Sequence, residues 1–147
     1  MSHSAVGSLA DPYDLERFVE AQDPVYALVL EELRNGRKTG HWIWFVFPQV
    51  RGLGFSATSQ RFSIGSRQEA QAYLVHPVLG PRLKECTQLV LDIEGTSIRQ
   101  IFGSPDDMKF RSSMTLFADA TSANELFLRA LDKYCEGKFD PLTLERI

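Results

Sequence analysis

Apolar residues recur at intervals of three and four positions along most of the chain, as they do on one face of an α-helix. The spacing is clearest over Val25, Leu28, Val29 and Leu33. Nowhere do apolar and polar residues alternate for long enough to predict a half-buried strand. The sequence therefore predicts a mainly α-helical, compact single-domain fold of about six to seven short helices, with little or no β-structure.

Capping residues and glycines divide this pattern into separate helices. Ser66 with Glu69, and Ser122 with Glu125, have the spacing of a capping box, in which two side chains bond the free N–H groups of the first turn. Further helix starts are predicted at Asp14, Asp23, Pro81, Thr96 or Ser97, and Ser104, and helix ends at Gly36, Gly95 and Gly103.

One apolar segment, from Ile43 to Phe47, has no periodicity that decides its structure. A continuous apolar run suits a buried strand and a short buried helix equally well, and Pro48 ends it in either case. We expect Ile43, Phe45 and Phe47 to lie mostly in the core.

The length of 147 residues fits one domain, which we assign to residues 13–147, with residues 1–12 as a frayed N-terminal tail. This tail has no basic stretch followed by an apolar segment, so it does not predict an export signal. The sequence contains no run of about 18 apolar residues that would predict a membrane span. We expect a soluble, cytoplasmic protein without a membrane partner, and the sequence leaves its oligomeric state open.

The two cysteines, Cys86 and Cys135, lie far apart in the sequence and have no histidines at ligand spacing. Both fall on apolar helical positions, where a thiol behaves as a small hydrophobic group. We therefore predict two free, buried cysteines, no metal site and no cofactor.

Charge is distributed unevenly along the chain. The interval between Glu32 and Glu69 contains six arginines and lysines and no acidic residue. The whole chain has 16 basic and 19 acidic residues, so ten basic and 19 acidic residues, a net charge of -9, lie outside this interval. Because like charges repel, we expect either a bound anion or acids from elsewhere in the fold, such as Asp106, to offset this basic block.

Two segments of the chain resemble a known family. They are HWIWFVFPQVRGLG, residues 41–54, and IFGSPDDMKFRSSMTLF, residues 101–117. From about Leu15 to Leu144 the chain resembles the bacterial family known as domain of unknown function 1810. The resemblance implies a mainly α-helical single domain and brings no established activity. Members are sometimes labelled calpastatin, an extended, disordered inhibitor, and we reject that label because 11% of the residues are aromatic.

The first of these segments, together with the residues up to Arg67, combines aromatic and basic side chains. Arginine binds phosphate through paired hydrogen bonds, tryptophan stacks on planar rings, and glycine lets the backbone approach a ligand closely. We therefore predict a site for a small anionic, nucleotide-like ligand, formed from His41, Trp42, Trp44, Gln49, Arg51, Gly52 and Arg61. The alternative is that the aromatic residues belong to the core and the arginines to a solvated surface.

The second segment offers a smaller polar cluster. On a helix, Lys109, Ser112 and Ser113 adjoin one another, and one ammonium beside two hydroxyls can bind a phosphate or carboxylate. The alternative is that the serines allow close helix packing and that Lys109 pairs with a nearby acid. Phe110, Met114 and Phe117 form the core stripe of the same helix.

Other functions also remain open. The two tryptophans and Arg51 could be exposed anchors of a protein–protein interface, where such residues are enriched. Single-stranded nucleic acid is the least favoured partner, because the pI is 5.6. No set of residues predicts a catalytic reaction, since a serine nucleophile would need a base that the sequence does not place near it.

Overall fold

The computed structural model describes residues 11–147, and this part of the chain forms ten helices. In chain order they are α1 (Glu16–Gln22), α2 (Tyr26–Arg34), α3 (Ile43–Val46), α4 (Ala57–Arg61), α5 (Arg67–Val75), α6 (Leu79–Asp92), α7 (Ile98–Phe102), α8 (Asp106–Ala120), α9 (Glu125–Cys135) and α10 (Pro141–Arg146). β-structure in the same residues is limited to one parallel bridge between Val50 and Ile64. The predicted mainly α-helical fold is confirmed.

Three short helices account for the difference between the ten helices of the structure and the six to seven predicted from the sequence. They are α3, α4 and α10, with four, five and six residues. Each contains fewer than two turns, so the repeat of apolar positions is too brief to be recognised in the sequence.

The caps of two helices agree with the sequence. The Ser66 side chain accepts a hydrogen bond from the backbone N–H of Glu69 at the start of α5. Ser97 and Gln100 form a complete capping box at the start of α7. Gly103, with a φ of +77°, ends α7 in the left-handed region that favours glycine.

The first described residues differ from the prediction. Asp11, which we assigned to the tail, accepts hydrogen bonds from the backbone N–H groups of Leu15 and Glu16 at 2.7 and 3.0 Å, so it caps α1. The predicted cap, Asp14, has a φ of +52° and makes no side-chain hydrogen bond within residues 11–147. The rest of the predicted tail, residues 1–10, lies outside the described residues.

Three other predicted helix starts are displaced by a few residues. The start of α2 is Tyr26, and Asp23 pairs with Arg82 of α6 at 2.8 Å instead of capping. The start of α6 precedes Pro81 by two residues, and α9 begins three residues after Ser122, which does not cap it. Capping preference is a local effect, and tertiary contacts such as the Asp23–Arg82 ion pair override it here.

Helix α8 lies at the centre of the core and packs against α5, α7, α9 and α10. Its predicted apolar stripe, Phe110, Met114 and Phe117, is fully buried. Phe110 contacts the rings of Phe47 and Phe102, each with a centroid distance of 5.0 Å. These aromatic contacts attach the α3 region to the main helical core.

The Ile43–Phe47 segment is a single helical turn, α3, and not a strand. Helical spacing places Ile43, Val46 and Phe47 on one face, and all three are buried. Trp44 and Phe45 lie on other faces and are half-buried. Phe45 packs against the core without being fully buried, which agrees with the expectation that it lies mostly in the core.

Both cysteines are free, as predicted, but only Cys86 is fully buried. Burial raises the pKa of Cys86 to about 12 and also raises the pKa of the half-buried Cys135. Both thiols are therefore protonated at neutral pH, which makes them weak nucleophiles. Among the described residues no helix is both long and apolar enough to cross a bilayer.

Candidate ligand-binding pocket

A short extended segment, residues 49–51, forms one wall of a pocket. The backbone N–H of Ile64 donates to the Gln49 carbonyl and that of Arg51 donates to the Ile64 carbonyl, both at 2.8 Å. Successive side chains of an extended segment point to opposite sides. Val50 is buried in the core, so Gln49 and Arg51 both point to the other side, where the pocket lies.

The pocket has a volume of about 400 Å³. Aromatic rings from Trp44, Phe55 and Phe62 form its apolar surface. The remaining lining is backbone at Gly52 and Gly54, the edge of Val50, and the polar side chains of Gln49, Arg51, Ser59, Gln60 and Ser63. None of these lining residues carries a carboxylate, so the pocket has one positive charge and no negative charge of its own.

Arg17, on α1, holds the opposite wall in place. Its guanidinium donates to the backbone carbonyls of Arg61 and Ser63, each at 2.8 Å, and pairs with the Glu69 carboxylate at 2.8 Å. These bonds fix the backbone on both sides of Phe62, a lining residue. No pattern in the sequence connects Arg17 with the site, because Arg17 lies outside the basic block.

Arg51 is the cation of the pocket wall, and its side chain forms no ion pair or hydrogen bond within residues 11–147. Its guanidinium lies against the backbone of Gly65, where a Cβ atom would be only 2.7 Å from Nη2. The conformation of Arg51 therefore depends on the absence of a side chain at position 65.

A second arginine approaches the pocket from the last helix. Arg146 of α10 donates a hydrogen bond to the carbonyl of the lining residue Gly52 at 3.3 Å. A Cβ atom at Gly52 would lie 2.7 Å from Arg146 Nε, and the φ of Gly52 is +98°. The backbone conformation favours glycine here, and a side chain at this position would also displace Arg146. Sequence reasoning missed Arg146 because 94 residues separate it from Gly52.

Three of the five polar side chains in the pocket are already bonded to neighbouring residues. Ser59 donates to the Ser56 carbonyl at 2.9 Å, and Ser63 to the Gln60 carbonyl at 2.9 Å. Gln60 donates to the Phe55 carbonyl at 3.2 Å. The two that make no side-chain hydrogen bond with the described residues are Gln49 and Arg51, so their donors are available to a ligand.

Trp42, His41 and Arg61 do not line the pocket. Trp42 is 2% exposed, and its Nε1 donates to the Glu32 carboxylate at 3.0 Å. It is a core residue, which corrects its assignment to the site. His41 is exposed to solvent away from the pocket lining, whereas Arg61 is exposed next to it, with its guanidinium 5.4 Å from the centroid of the Phe62 ring.

The Glu32 carboxylate organises the turn before α3. It accepts hydrogen bonds from the backbone N–H groups of Thr39 and Gly40 at 2.7 and 3.0 Å, in addition to that from Trp42. Burial alone would raise the pKa of Glu32, but these three donors outweigh it and hold the pKa below its usual value. A charged Glu32 thereby fixes the segment that leads into Trp44.

The predicted Lys109, Ser112 and Ser113 cluster does not form an anion site. Lys109 pairs with Asp106 at 3.0 Å, and Ser112 Oγ lies 2.8 Å from a carboxylate oxygen of Asp140. Ser113 is completely buried. The packing alternative holds for this cluster, because the serines lie between packed helices and an acid neutralises the lysine.

Lys109 nevertheless contacts the pocket wall from behind. Its ammonium lies 4.4 Å from the ring centroid of Trp44, a favourable cation–π distance. The Trp44 indole N–H is buried and has no hydrogen-bond partner among the described residues. Of the two tryptophans, Trp44 therefore belongs to the site.

Acids from elsewhere in the fold neutralise part of the basic block. Lys38, with a side chain only 6% exposed, pairs with Asp106 at 2.7 Å, and Arg67 pairs with Asp119. Burial alone would raise the pKa of Asp106, but hydrogen bonds from Lys38 and Lys109 outweigh it and lower the pKa. Arg51 has no such ion pair within residues 11–147. The Glu69 carboxylate also lies beside Gly65 but is paired with Arg17, so Arg51 remains a charge that an anion can neutralise.

The fold and the pocket define a mainly helical protein with a small cation-bearing cavity lined by residues 44–63. The chain belongs to the family described as Protein of unknown function (DUF1810), whose model matches residues 12–147. It is also similar to a solved structure, that of the conserved hypothetical protein Rv1873 from Mycobacterium tuberculosis. The two share 61% sequence identity and a TM-score of 0.91, over 92% of this chain and 96% of that one. No curated protein matches the chain.

Proposed function

We propose that the pocket binds a small anionic ligand that has a planar, nucleotide-like part. The observation that carries this proposal is the guanidinium of Arg51, which has no partner within residues 11–147 and lies in a wall shared with Trp44 and Phe62. A guanidinium binds phosphate or carboxylate oxygens in pairs, and an aromatic ring provides a face for stacking.

The size and charge of the pocket support the same ligand class. Small-molecule sites commonly have volumes of roughly 300 to 1,000 Å³, and this pocket has about 400 Å³. The lining has no carboxylate that would repel an anion. Arg61 and Arg146 contact lining residues from outside and add positive potential at the same place.

Thermal denaturation in the presence of candidate anions tests the proposal. The panel is inorganic phosphate, sugar phosphates and nucleoside monophosphates and diphosphates. A ligand that binds only the folded state, at about a hundred times its Kd, stabilises that state by about 2.7 kcal/mol, so the melting temperature should rise by roughly 5 to 10 °C. Arg51→Ala should abolish the rise while leaving the melting temperature without ligand nearly unchanged.

Arg99→Ala is the matched control, because Arg99 is equally exposed and unpaired among the described residues but lies outside the pocket lining. This variant should respond to the ligand as the wild type does. A panel that shifts neither the wild type nor any variant, or an Arg51→Ala protein that retains the full shift, would contradict the proposal.

A protein–protein interface is the second candidate function. Phe55, at the edge of the pocket, is 89% exposed, and an exposed aromatic residue beside a pocket suits an interface anchor. Trp42, which we first considered as an anchor, is buried and does not support this function.

We do not propose nucleic-acid binding, since the chain has a net charge of -3. Two free cysteines suit the cytoplasm, where we place the protein.

A further inference from the structure

Gln49 is the second side chain of the pocket with available hydrogen-bonding groups. Its amide makes no side-chain hydrogen bond within residues 11–147 and is half-buried in the wall. An amide offers an acceptor and two donors side by side. The adjacent backbone is fixed by the bridge to Ile64, so the fold sets the direction in which the Gln49 side chain leaves the main chain.

Gln49 and Arg51 lie two residues apart on an extended segment and point to the same side. In extended backbone such positions are about 7 Å apart. A ligand that contacts both side chains must therefore carry an anionic group and, a few bonds away, a group that bonds an amide. The aromatic side chains of Trp44 and Phe62 line the same pocket and offer ring faces against which that second group can stack.

We infer that Gln49 recognises the edge of a planar heterocycle with an adjacent hydrogen-bond donor and acceptor, while Arg51 binds the anionic substituent of the same ligand. A glutamine amide pairs with such an edge through two hydrogen bonds, as it does with adenine. The ligand class is then a nucleoside phosphate or a similar heterocyclic anion, and not a simple sugar phosphate. This inference rests on the proposed function.

Isothermal titration calorimetry on the full chain tests the inference. The ligands are AMP, GMP, CMP and UMP, compared with ribose 5-phosphate, which has no ring edge, and with purine riboside 5′-monophosphate, which has no exocyclic donor. At least one of the four nucleotides should bind the wild type about tenfold more tightly than both comparison ligands. Gln49→Leu should remove that preference and leave the affinity for ribose 5-phosphate within about twofold.

Gln88→Leu is the matched control. Gln88 is half-buried, as Gln49 is, but lies outside the pocket lining, so this variant should keep the tenfold preference. The inference is overturned if the wild type shows no preference, if Gln49→Leu retains it, or if Gln88→Leu loses it equally. Equal binding of all phosphates that still depends on Arg51 would overturn the inference and leave the proposed function standing. A failure of every phosphate to bind would overturn both.

Discussion

At the residue scale, Asp106 links the basic block to the pocket wall. Its carboxylate pairs with Lys38 at 2.7 Å and with Lys109 at 3.0 Å. Lys38 lies over the ring of Trp42 and Lys109 over the ring of Trp44. One carboxylate therefore holds Lys38 against Trp42 and Lys109 against Trp44, and its single negative charge is shared between the two ammonium groups.

Replacing Asp106 with Asn should destabilise the protein by on the order of 3 kcal/mol at pH 7, because it leaves the buried ammonium of Lys38 without its anionic partner. The pKa of Asp106 is lowered in the folded state from its usual value of 3.8, so the ion pairs stabilise the protein above that pH. This stabilisation is lost as the pH falls through the lowered pKa. The difference between wild type and variant should therefore shrink below about pH 3.8, as measured by denaturant unfolding.

Asp107→Asn is the control for this comparison. Asp107 is also in the first turn of α8, but within residues 11–147 its carboxylate bonds only the backbone N–H of Met108. Its replacement should cost less than about 1 kcal/mol, since it removes only a favourable interaction with the helix dipole and one exposed hydrogen bond. Equal losses for the two variants, or a loss for Asp106→Asn that does not change with pH, would contradict the assigned role.

At the element scale, the orientation of the single helical turn α3 determines which aromatic residues are buried in the core and which line the pocket. Helical geometry directs Ile43, Val46 and Phe47 inward and leaves Trp44 at the pocket. The sequence left helix and strand equally open for this segment. The assignment of the tryptophans depended on that choice. Side-chain directions repeat every 3.6 residues in a helix and every 2 residues in a strand, so the two structures direct Trp44 differently.

Alanine substitutions on α3 test this orientation. Phe47→Ala should cost about 3 to 5 kcal/mol, because Phe47 is fully buried and contacts Trp42, Phe102 and Phe110. Phe45→Ala should cost less, roughly 1 to 2 kcal/mol, since Phe45 is half-buried and packs mainly on Phe62. Denaturant unfolding measures both values, and a larger loss for Phe45→Ala would mean that the turn is oriented differently.

The longer helices could be predicted from the sequence, whereas among the helices of six residues or fewer only α7, which has clear caps at both ends, could be. Helix α8 was recognisable because Phe110, Met114 and Phe117 repeat over about two turns and because all three face the core. The helix caps were predicted less well. Ser66 caps α5 as expected, whereas Ser122 does not cap α9, since a local capping preference of about 1 kcal/mol is easily overridden by packing.

At the scale of the whole molecule, the pocket combines a continuous stretch of sequence with distant supports. Residues 44–63 supply its lining, and for this reason the aromatic and basic block located the site. Arg17 fixes one wall from α1, and Arg146 contacts Gly52 from α10. These long-range contacts have no signal in the spacing of residues along the chain, so only the structure reveals them.

The packing of helices at this scale also explains why the predicted cluster of Lys109, Ser112 and Ser113 is not part of the pocket. Lys109, Ser112 and Ser113 adjoin on one helix, as the sequence indicated, but α10 packs against that helix and covers the serines. Asp140, at the start of α10, accepts the hydrogen bond of Ser112 that a ligand would otherwise receive. Neighbours along a helix are predictable, whereas the element that covers them is not.

The central claim is that an anion binds in the pocket through Arg51, and the most direct test is a titration followed by two-dimensional ¹⁵N–¹H NMR with assigned side-chain signals. On addition of inorganic phosphate or AMP, the Arg51 guanidinium and Trp44 indole signals should shift and saturate together. The Trp42 indole, which is bonded to Glu32 in the core, should remain unchanged. The claim would be contradicted if neither ligand moved the Arg51 signal, or if the largest shifts fell on arginines outside the pocket, such as Arg99.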